Sequence, residues 1–360
     1  MEAQSSAAYE RMDSTAERMD TPYDQWAASQ GIDVVKGFGV ENVYEVPLKW
    51  WERMGGYGVI INLEGTAYLD DAYVCSIPAG KGLRPQRHLF EELVYILEGR
   101  GATTVWQENG PRQSFEWQKG SLFAIPLNAS YQHFNGQGDR EARIISVTTA
   151  PLVFNLFHSE DFIMNNPYAF SDRFNGQEGY FAGRGRLYKD RVLETNFVAD
   201  AVNIEPIAWH ERGKGNRTIF FELAQCTMGA HVSEFPIGFY KKAHRHGPGA
   251  HVMILTGQGY SFMWPEGTER MRFDWKPGSL VVPPEDWFHQ HFNSGSQPAR
   301  YLALKMLSRR YKLAPGKIKS DVSIKKGGQQ IEYEDEDPDI RRIFEASCAK
   351  AGATVMMPPR

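Results

Sequence analysis

The sequence has 360 residues, enough for two ordinary domains, and its 40 basic and 44 acidic residues give a net charge of -4. Because the charges are interspersed, no basic patch marks nucleic acid as a partner. No apolar run has the length of a bilayer span, and the N-terminus lacks the apolar stretch of a signal peptide, so we expect no membrane partner. Three cysteines without a CxxC pair favour a reducing, cytoplasmic location.

Five segments are predicted along the chain. Residues 1–57 are polar and then rich in Trp and Tyr, which indicates an arm with a helix and an extra strand. Residues 58–150 and 216–310 consist of short runs rich in Val, Ile, Tyr, Phe and Trp between turn residues, as is typical of antiparallel strands. A linker, residues 151–215, joins them. In 311–360, DPDIRRIFEASCAKAG has an Asp cap and helical spacing, which predict a C-terminal helix.

The two strand-rich segments are copies of one another. When each residue is matched to the residue 158 positions later, VYILEGRG (94–101) falls on VMILTGQG (252–259). The tetrapeptide QHFN occurs in both copies, at 132–135 and at 290–293. An ancestral duplication explains these matches. The sequence therefore predicts an all-β protein with two small barrels or sandwiches.

Four histidines of the second copy are expected to face one barrel interior. Side chains alternate along an extended strand, so His244 and His246 of KAHRHG point the same way, and so do His289 and His291 of WFHQHF. Neutral imidazole is a good ligand for Fe(II), Mn(II), Ni(II) and Zn(II). Several histidines in one interior therefore favour metal binding over a set of ordinary polar side chains.

The repeats resemble the two motifs of the cupin superfamily. The second motif, a Gly, a Pro and then His and Asn, is matched in the two copies by Gly120, Pro126, His133, Asn135 and by Gly278, Pro284, His291, Asn293. The first motif, HxH followed by Glu and Gly, is only partly present in each copy. The resemblance covers about 58–150 and 216–308 and implies a bicupin. Such a fold has two antiparallel jelly-roll barrels, or double-stranded β-helices, with the N-terminal arm and the C-terminal helix outside them.

The resemblance implies a metal site in the second barrel, with His244, His246 and His291 as ligands. Three ligands on one side of an ion leave positions open for substrate, water or dioxygen. Ala250 stands where a cupin usually has glutamate. This alanine, together with the HRH sequence at 244–246 and the HQH sequence at 289–291, resembles the pattern of the gentisate and salicylate dioxygenases. This resemblance implies a non-haem Fe(II) enzyme that uses O2 on a small aromatic or hydroxy acid, with Mn(II), Ni(II) or Zn(II) as alternative ions.

The first copy has a degenerate version of the same site. Gln86, His88 and Glu92 face inward by the same alternation, and His133 joins them from the second motif. Gln86 stands where the first ligand histidine would be. The two histidines and the carboxylate either hold a second divalent ion or are a relic with a structural role.

Three more residues of the second copy are candidates for the reaction. His289 is a candidate for proton transfer to the substrate or, alternatively, for a hydrogen bond to a ligand residue. Trp287 is a candidate for stacking on a planar substrate, and Arg245 for pairing with a substrate carboxylate.

Two other functions stay open on the sequence alone. A cupin decarboxylase, isomerase or hydrolase would use the same metal without O2, although the missing glutamate disfavours oxalate chemistry. A non-enzymatic cupin would bind a small ligand or regulate another enzyme. Because barrels of this kind have exposed edge strands that need covering, we also expect a homo-oligomer.

Overall fold

The computed structural model describes residues 20–108, 110–306, 308–312 and 319–357. The helices in this part of the chain are α1 (Pro22–Ser29), α2 (Ala150–Phe157), α3 (Glu160–Asn165) and α4 (Pro338–Lys350). Short 3-10 turns occur at Glu64–Thr66, His210–Arg212 and Ile324–Lys326. None of the described helices is long and apolar enough to cross a membrane.

The remaining regular structure is strand. Up to the end of the first copy, the strands are β1 (Val34–Val35), β2 (Gly39–Val40), β3 (Lys49–Trp51), β4 (Gly56–Ile61), β5 (Asp71–Ile77), β6 (Glu92–Glu98), β7 (Arg100–Trp106), β8 (Gln113–Gln118), β9 (Leu122–Ile125), β10 (Ser130–Asn135) and β11 (Ala142–Thr148). The linker holds β12 (Gly185–Tyr188), β13 (Val192–Thr195), β14 (Phe197–Val198) and β15 (Ile207–Ala208). The second copy holds β16 (Arg217–Glu222), β17 (Gly229–Phe235), β18 (His251–Thr256), β19 (Gly259–Trp264), β20 (Met271–Trp275), β21 (Leu280–Val281), β22 (Phe288–Asn293) and β23 (Ala299–Lys305).

These strands form two barrels, each made of a large and a small sheet. Barrel 1 has the sheet β1-β4-β5-β11-β6-β9-β14, with β3 on β4, and the sheet β10-β7-β8. Barrel 2 has the sheet β12-β13-β16-β17-β23-β18-β21-β2, with β15 on β16, and the sheet β20-β19-β22. Nearly all of the described pairings are antiparallel; β1 with β4 and β13 with β16 are parallel. The predicted all-β fold of two jelly-roll barrels is confirmed.

Each barrel is completed by a short strand from outside its own copy. The strand β2, which precedes barrel 1 in the chain, pairs with β21 of barrel 2, and β14 from the linker pairs with β9 of barrel 1. In both barrels the serine of the repeated GSL sequence donates a hydrogen bond to the residue that follows this outside strand. Ser279 Oγ donates to the Glu41 carbonyl at 2.7 Å, and Ser121 Oγ donates to the Ala199 carbonyl at 2.8 Å. The N-terminal arm therefore covers one sheet edge of barrel 2, and the linker covers the equivalent edge of barrel 1.

The apolar core is continuous between the barrels. One cluster of buried side chains contains, among others, Val59, Tyr95 and Ile145 of barrel 1 and Phe221, Met253 and Leu302 of barrel 2. Burying such side chains is the main favourable term in folding. The barrels are thus held as one body by the same kind of packing that fills each of them.

The two helical extensions pack on different barrels. α1 begins with a capping box between Thr21 and Asp24 and places Tyr23 and Trp26 in the barrel 1 core, where Trp26 stacks on Phe154 at 4.6 Å. The predicted C-terminal helix is present as α4. Its Phe344 side chain packs on barrel 2, with its ring 4.9 Å from that of Tyr240.

Candidate metal centre

Three histidines of barrel 2 lie next to one another at the barrel interior. His244 and His246 lie on the segment before β18, and His289 lies in β22. Two backbone hydrogen bonds join the segments: His244 N–H donates to the His289 carbonyl at 3.1 Å, and His289 N–H donates to the His244 carbonyl at 2.9 Å. All three side chains are buried, and one ring nitrogen from each lies within 4.8 Å of the others. Small side-chain rotations would let one divalent ion bind all three.

The orientation of each ring is set by its own strand. The Nδ1 atoms of His244, His246 and His289 lie 3.2 Å from the carbonyl oxygens of Lys242, Pro248 and Trp287, respectively. A carbonyl oxygen only accepts hydrogen bonds, so each neutral ring must carry its proton on Nδ1. The Nε2 atoms then keep free lone pairs. This arrangement, in which one nitrogen is anchored and the other is free, is the usual one for metal-binding histidines.

The three rings are neutral at physiological pH. Burial lowers the pKa of His289 to about 3. Burial, together with the positive charge of Arg212, also lowers the pKa of His244 well below its ordinary range. Burial and the positive charges of Lys305 and Arg212 do the same to the pKa of His246. Since only the neutral ring binds a metal ion, these shifts favour ion binding.

His291 has a different environment. Its Nδ1 lies 2.7 Å from Ser261 Oγ, which also accepts a hydrogen bond from Trp275 Nε1 at 3.1 Å. Barrel 1 repeats this contact set, with His133 Nδ1 2.7 Å from Thr103 Oγ1 and Trp117 Nε1 donating to the same oxygen at 2.9 Å. Both barrels therefore anchor this histidine through Nδ1 in the same way. The contact leaves Nε2 of His291 available, so a ligand role for His291 stays a prediction.

The predicted ligand set and the observed cluster therefore differ in one histidine. Among the described residues, the group with ligand atoms this close contains His289 where the sequence predicted His291. His291 still lines the same cavity, and its ring lies 5.8 Å from that of His289. Proton transfer by His289 stays a prediction, and the cluster gives that residue a ligand position instead.

The cluster opens into a cavity of about 310 Å³. Its wall carries an unusual number of basic side chains, namely Lys189, Arg212, Lys241, Lys305, Arg309 and Lys312. Among the described lining residues, Asp321 is the one carboxylate. Such a cavity has a positive potential that attracts anions.

Two groups in the cavity wall have shifted proton affinities. Burial and the charges of Arg309 and Arg212 lower the pKa of Lys305 to about 7. Burial raises the pKa of Tyr301, but the charge and hydrogen bond of Lys241, the hydrogen bond of Ser233 and the charge of Arg212 together lower it, so the net shift is downward. Groups with pKa values near the working pH are suited to proton transfer.

The two residues predicted to bind substrate lie outside this wall. Arg245 forms an ion pair with Glu266 at 2.8 Å and lies over the ring of Phe288. Trp287 packs against Phe38, with ring centres 5.7 Å apart. Neither is among the described residues that line the cavity. A substrate role for either residue stays a prediction, and their positions do not favour it.

The equivalent region of barrel 1 is closed by side-chain hydrogen bonds. His88 Nε2 lies 3.0 Å from Glu92 Oε2 and 3.1 Å from the Tyr131 hydroxyl, which itself donates to Glu92 at 2.7 Å. Gln86 Nε2 donates to the carbonyls of Arg53 and Arg84, both at 3.1 Å. The cavity left here is only about 20 Å³.

The carboxylate of barrel 1 is stabilised in its charged form. Burial raises the pKa of Glu92, but the hydrogen bond and charge of His88 and the hydroxyls of Tyr73 and Tyr131 lower it to about 2. Of the predicted second metal site, Gln86, His88 and Glu92 are together, whereas His133 bonds to Thr103 through Nδ1 and keeps a buried Nε2 without a partner among the described residues. The contacts between His88, Glu92 and Tyr131 favour the structural alternative.

Several cavity residues carried no sequence prediction, among them Lys241, Ser233 and Tyr301. The backbone pairing matches them to Leu83, Cys75 and Ile144 of barrel 1. The backbone N–H of Lys241 donates to the His291 carbonyl, as that of Leu83 donates to the His133 carbonyl. Tyr301 lies opposite Ser233 in its ladder, as Ile144 lies opposite Cys75. A signal was thus present in the repeat. Polar residues in one copy that replace apolar residues in the other indicate a site.

The fold is similar to solved structures of oxalate decarboxylase. A deletion variant of the Bacillus subtilis enzyme has 13% identity and a TM-score of 0.51, with 76% of this chain and 78% of that chain covered. A structure described as showing the substrate binding mode and a reaction specificity switch in oxalate decarboxylase has 14% identity and a TM-score of 0.50 at the same coverage. The chain has the bicupin fold. At this identity the similarity concerns the fold alone. No protein-family model matches the sequence, and no curated protein matches it significantly.

Proposed function

We propose that this bicupin is a divalent-metal enzyme that carries out O2-independent isomerisation, decarboxylation or hydrolysis of a small substrate in barrel 2. One observation carries the proposal. His244, His246 and His289 are neutral, are anchored through Nδ1 and offer free ring nitrogens close together at the wall of a 310 Å³ cavity. A cavity of this size takes a small molecule and leaves an ion accessible to it.

The donor set fits a transition metal. Imidazole suits Fe(II), Mn(II), Ni(II) and Zn(II) alike, so the identity of the ion is decided by experiment. A bound ion would act as a Lewis acid that polarises a carbonyl or carboxylate oxygen of the substrate. The three histidines would hold it.

The proton-transfer groups favour this class of reaction. Isomerisation, decarboxylation and hydrolysis each need a proton to be moved. The Lys305 amine, with a pKa of about 7, can accept and release a proton at neutral pH. The Tyr301 hydroxyl, next to the Lys241 ammonium, is a second candidate. Both line the cavity that contains the three histidines.

A ring-cleaving Fe(II) dioxygenase is the second candidate. Ala250 favours it, because this residue lines the cavity where barrel 1 has the carboxylate Glu92, and the three ligands are then all imidazoles, as in the resemblance to gentisate and salicylate dioxygenases. Against it stands the position of Trp287, which packs outside the cavity and offers no stacking surface there.

Elemental analysis of protein purified without oxygen tests the proposal. We expect about one ion per chain, which His289→Ala removes and the matched barrel 1 variant His88→Ala retains. Screening of hydroxy acids and keto acids under strict anaerobiosis then separates the two candidates. Turnover without O2 supports the proposed reaction, and turnover only with O2 supports the dioxygenase. Protein that takes up none of the four ions would overturn both.

A further inference from the structure

The most unusual charged group outside the histidine cluster is a buried lysine. Lys241 is only 3% exposed, and its ammonium donates hydrogen bonds to Ser233 Oγ and, at 2.9 Å, to the Tyr301 hydroxyl. Within the described part of the chain it forms no ion pair with a carboxylate. An ammonium has a third N–H, and the residue lines the cavity. A buried charge without a counter-ion is costly, so a structure that keeps one has a use for it.

Barrel 1 shows that the fold does not need this polar trio. The equivalent positions hold Leu83, Cys75 and Ile144, which are all fully buried in the apolar core. The same backbone framework is therefore stable with an apolar filling. Barrel 2 has instead placed Lys241 and its two hydroxyl partners in the cavity wall.

Two more basic side chains face the same cavity and form no ion pair among the described residues, although Asp321 lies in the same wall. Arg212 is buried and uses two of its N–H groups on Ser320, at 2.7 and 2.9 Å. Lys305 makes no side-chain hydrogen bond or ion pair to any described residue, and its ammonium also faces the cavity. The guanidinium and the two ammonium groups thus keep donors that are available to a ligand.

The proposed ion would add to this positive charge. Barrel 1 has Glu92 in its interior, whereas barrel 2 has Ala250 at the matching position, so three imidazoles would leave the double charge of the ion uncompensated. A ligand with a single negative charge would balance only part of the total. The cavity, about 310 Å³, is large enough for a small molecule with two acidic groups.

We propose that barrel 2 has a second anion subsite, formed by Lys241, Tyr301, Arg212 and Lys305, and that its substrate is a small dianion. One acidic group of the substrate binds at the three-histidine centre, and the other receives hydrogen bonds from the subsite. Dicarboxylates and phosphorylated carboxylic acids have this chemistry. The binding of one acidic group at the three-histidine centre rests on the proposed function, whereas the subsite rests on the cavity wall alone.

Calorimetric titration of the metal-loaded protein with malonate and with acetate tests the inference. We expect malonate to bind at least tenfold more tightly than acetate, because only the dianion reaches both groups. Lys241→Met should remove most of this preference. The matched control is Lys242→Met, since the neighbouring Lys242 pairs with Glu332 outside the cavity wall. Equal binding of the two acids, or a Lys241→Met variant that keeps the preference, would overturn the subsite.

A triple variant guards against loss of folding. Lys241→Leu, Ser233→Cys and Tyr301→Ile together copy the barrel 1 filling, so we expect the protein to stay folded and to keep its metal while it loses the malonate preference. Titration of the metal-free wild type with inorganic phosphate separates the two proposals. Phosphate binding that the triple variant abolishes supports the subsite even if no metal is taken up. A metal-loaded protein that binds neither phosphate nor malonate refutes the subsite alone.

Discussion

Barrels 1 and 2 have the same ladders and the same buried Trp–hydroxyl–His contact, yet their interiors differ. Barrel 1 encloses about 20 Å³, and its charged Glu92 receives hydrogen bonds from surrounding side chains. Barrel 2 encloses about 310 Å³, and Lys241, Arg212 and Lys305 in its wall form no ion pair with a carboxylate among the described residues. In barrel 1 the buried carboxylate of Glu92 is held by neighbouring side chains, whereas in barrel 2 donors of buried cations are left for a ligand.

The comparison separates residues that serve the fold from residues that serve chemistry. His133 and His291 are identical in the repeat and make the same hydrogen bond through Nδ1, so that contact belongs to the shared framework. By the same alignment, Tyr131 in barrel 1 matches His289 in barrel 2. A residue that changes between the two interiors, on an unchanged framework, is a better candidate for function than one that stays the same.

The largest expected effect is on metal affinity, when a residue of the metal centre is replaced by its barrel 1 counterpart. His289→Tyr, which introduces the residue type of Tyr131, removes one of three ligand nitrogens. We expect metal affinity to fall by more than about a hundredfold, because even residues that only orient a ligand are worth about 10- to 100-fold. Competition with a fluorescent chelator measures the affinity.

His291→Asn is the matched control for this substitution. It removes the histidine that the sequence predicted as the ligand, but it leaves the cluster of His244, His246 and His289 in place. We expect a smaller loss of affinity than for His289→Tyr. The reverse order would show that His291, and not His289, is the third ligand.

The second expected effect concerns the closed interior of barrel 1. Glu92→Gln removes a buried carboxylate whose pKa is lowered from its ordinary 4.5 to about 2. Each pH unit of such a difference is worth about 1.4 kcal/mol, so the variant should lose roughly 3 kcal/mol of unfolding free energy at pH 7. The stabilisation is fully present above pH 4.5 and is lost as the pH falls towards 2. Urea unfolding at pH 7 and pH 3.5 should therefore show a smaller difference at the lower pH, and an equal difference would contradict the charged network.

The sequence was sufficient to predict the fold because the signals were local and repeated. Two barrels could be predicted from the alternating strands, the turn residues between them and the QHFN repeat. The pairing of β2 with barrel 2 and of β14 with barrel 1 was not predicted. These strands have two residues each, and their partners lie far away in sequence. The repeated GSL sequence was one indication of these pairings, since both serines donate a hydrogen bond to the residue after the added strand.

The sequence did not predict how deep within the barrel each histidine side chain lies. Alternation shows which face a side chain occupies, and it placed His289 and His291 together. It does not show which of the two lies level with His244, and residues two apart on a strand are separated by about 7 Å. That level is set by the backbone pairing of His244 with His289, a long-range contact that no single strand reveals. Alternation did place Arg245 on the opposite face from the histidines beside it.

A smaller effect is expected where α1 enters barrel 1. The Tyr23 hydroxyl donates to buried Asp71, whose pKa is raised to about 7 by burial. Because the raised pKa keeps Asp71 protonated below pH 7 and charged above it, the lost hydrogen bond matters more at high pH. Tyr23→Phe should cost about 1 kcal/mol at pH 5.5 and about 2 kcal/mol at pH 8.5, since bonds to charged groups are stronger. Urea unfolding measures both, with Tyr57→Phe, at a half-exposed tyrosine, as the control. A cost that does not rise with pH would argue against an ionised Asp71.

The smallest effect is expected for the two residues that the sequence predicted to bind substrate. Arg245 pairs with an exposed Glu266, and Trp287 packs beside Phe38, so neither reaches the cavity that distinguishes barrel 2 from barrel 1. An exposed ion pair contributes about 0–1 kcal/mol, so Arg245→Ala should leave both metal content and malonate affinity within about twofold of the wild type. Lys241→Met, four residues away, should lose malonate affinity under the same conditions. If Arg245→Ala weakened malonate binding as much as Lys241→Met, the substrate would have to approach the ion from the outer side of the strand, and the comparison of the two interiors would not identify the site.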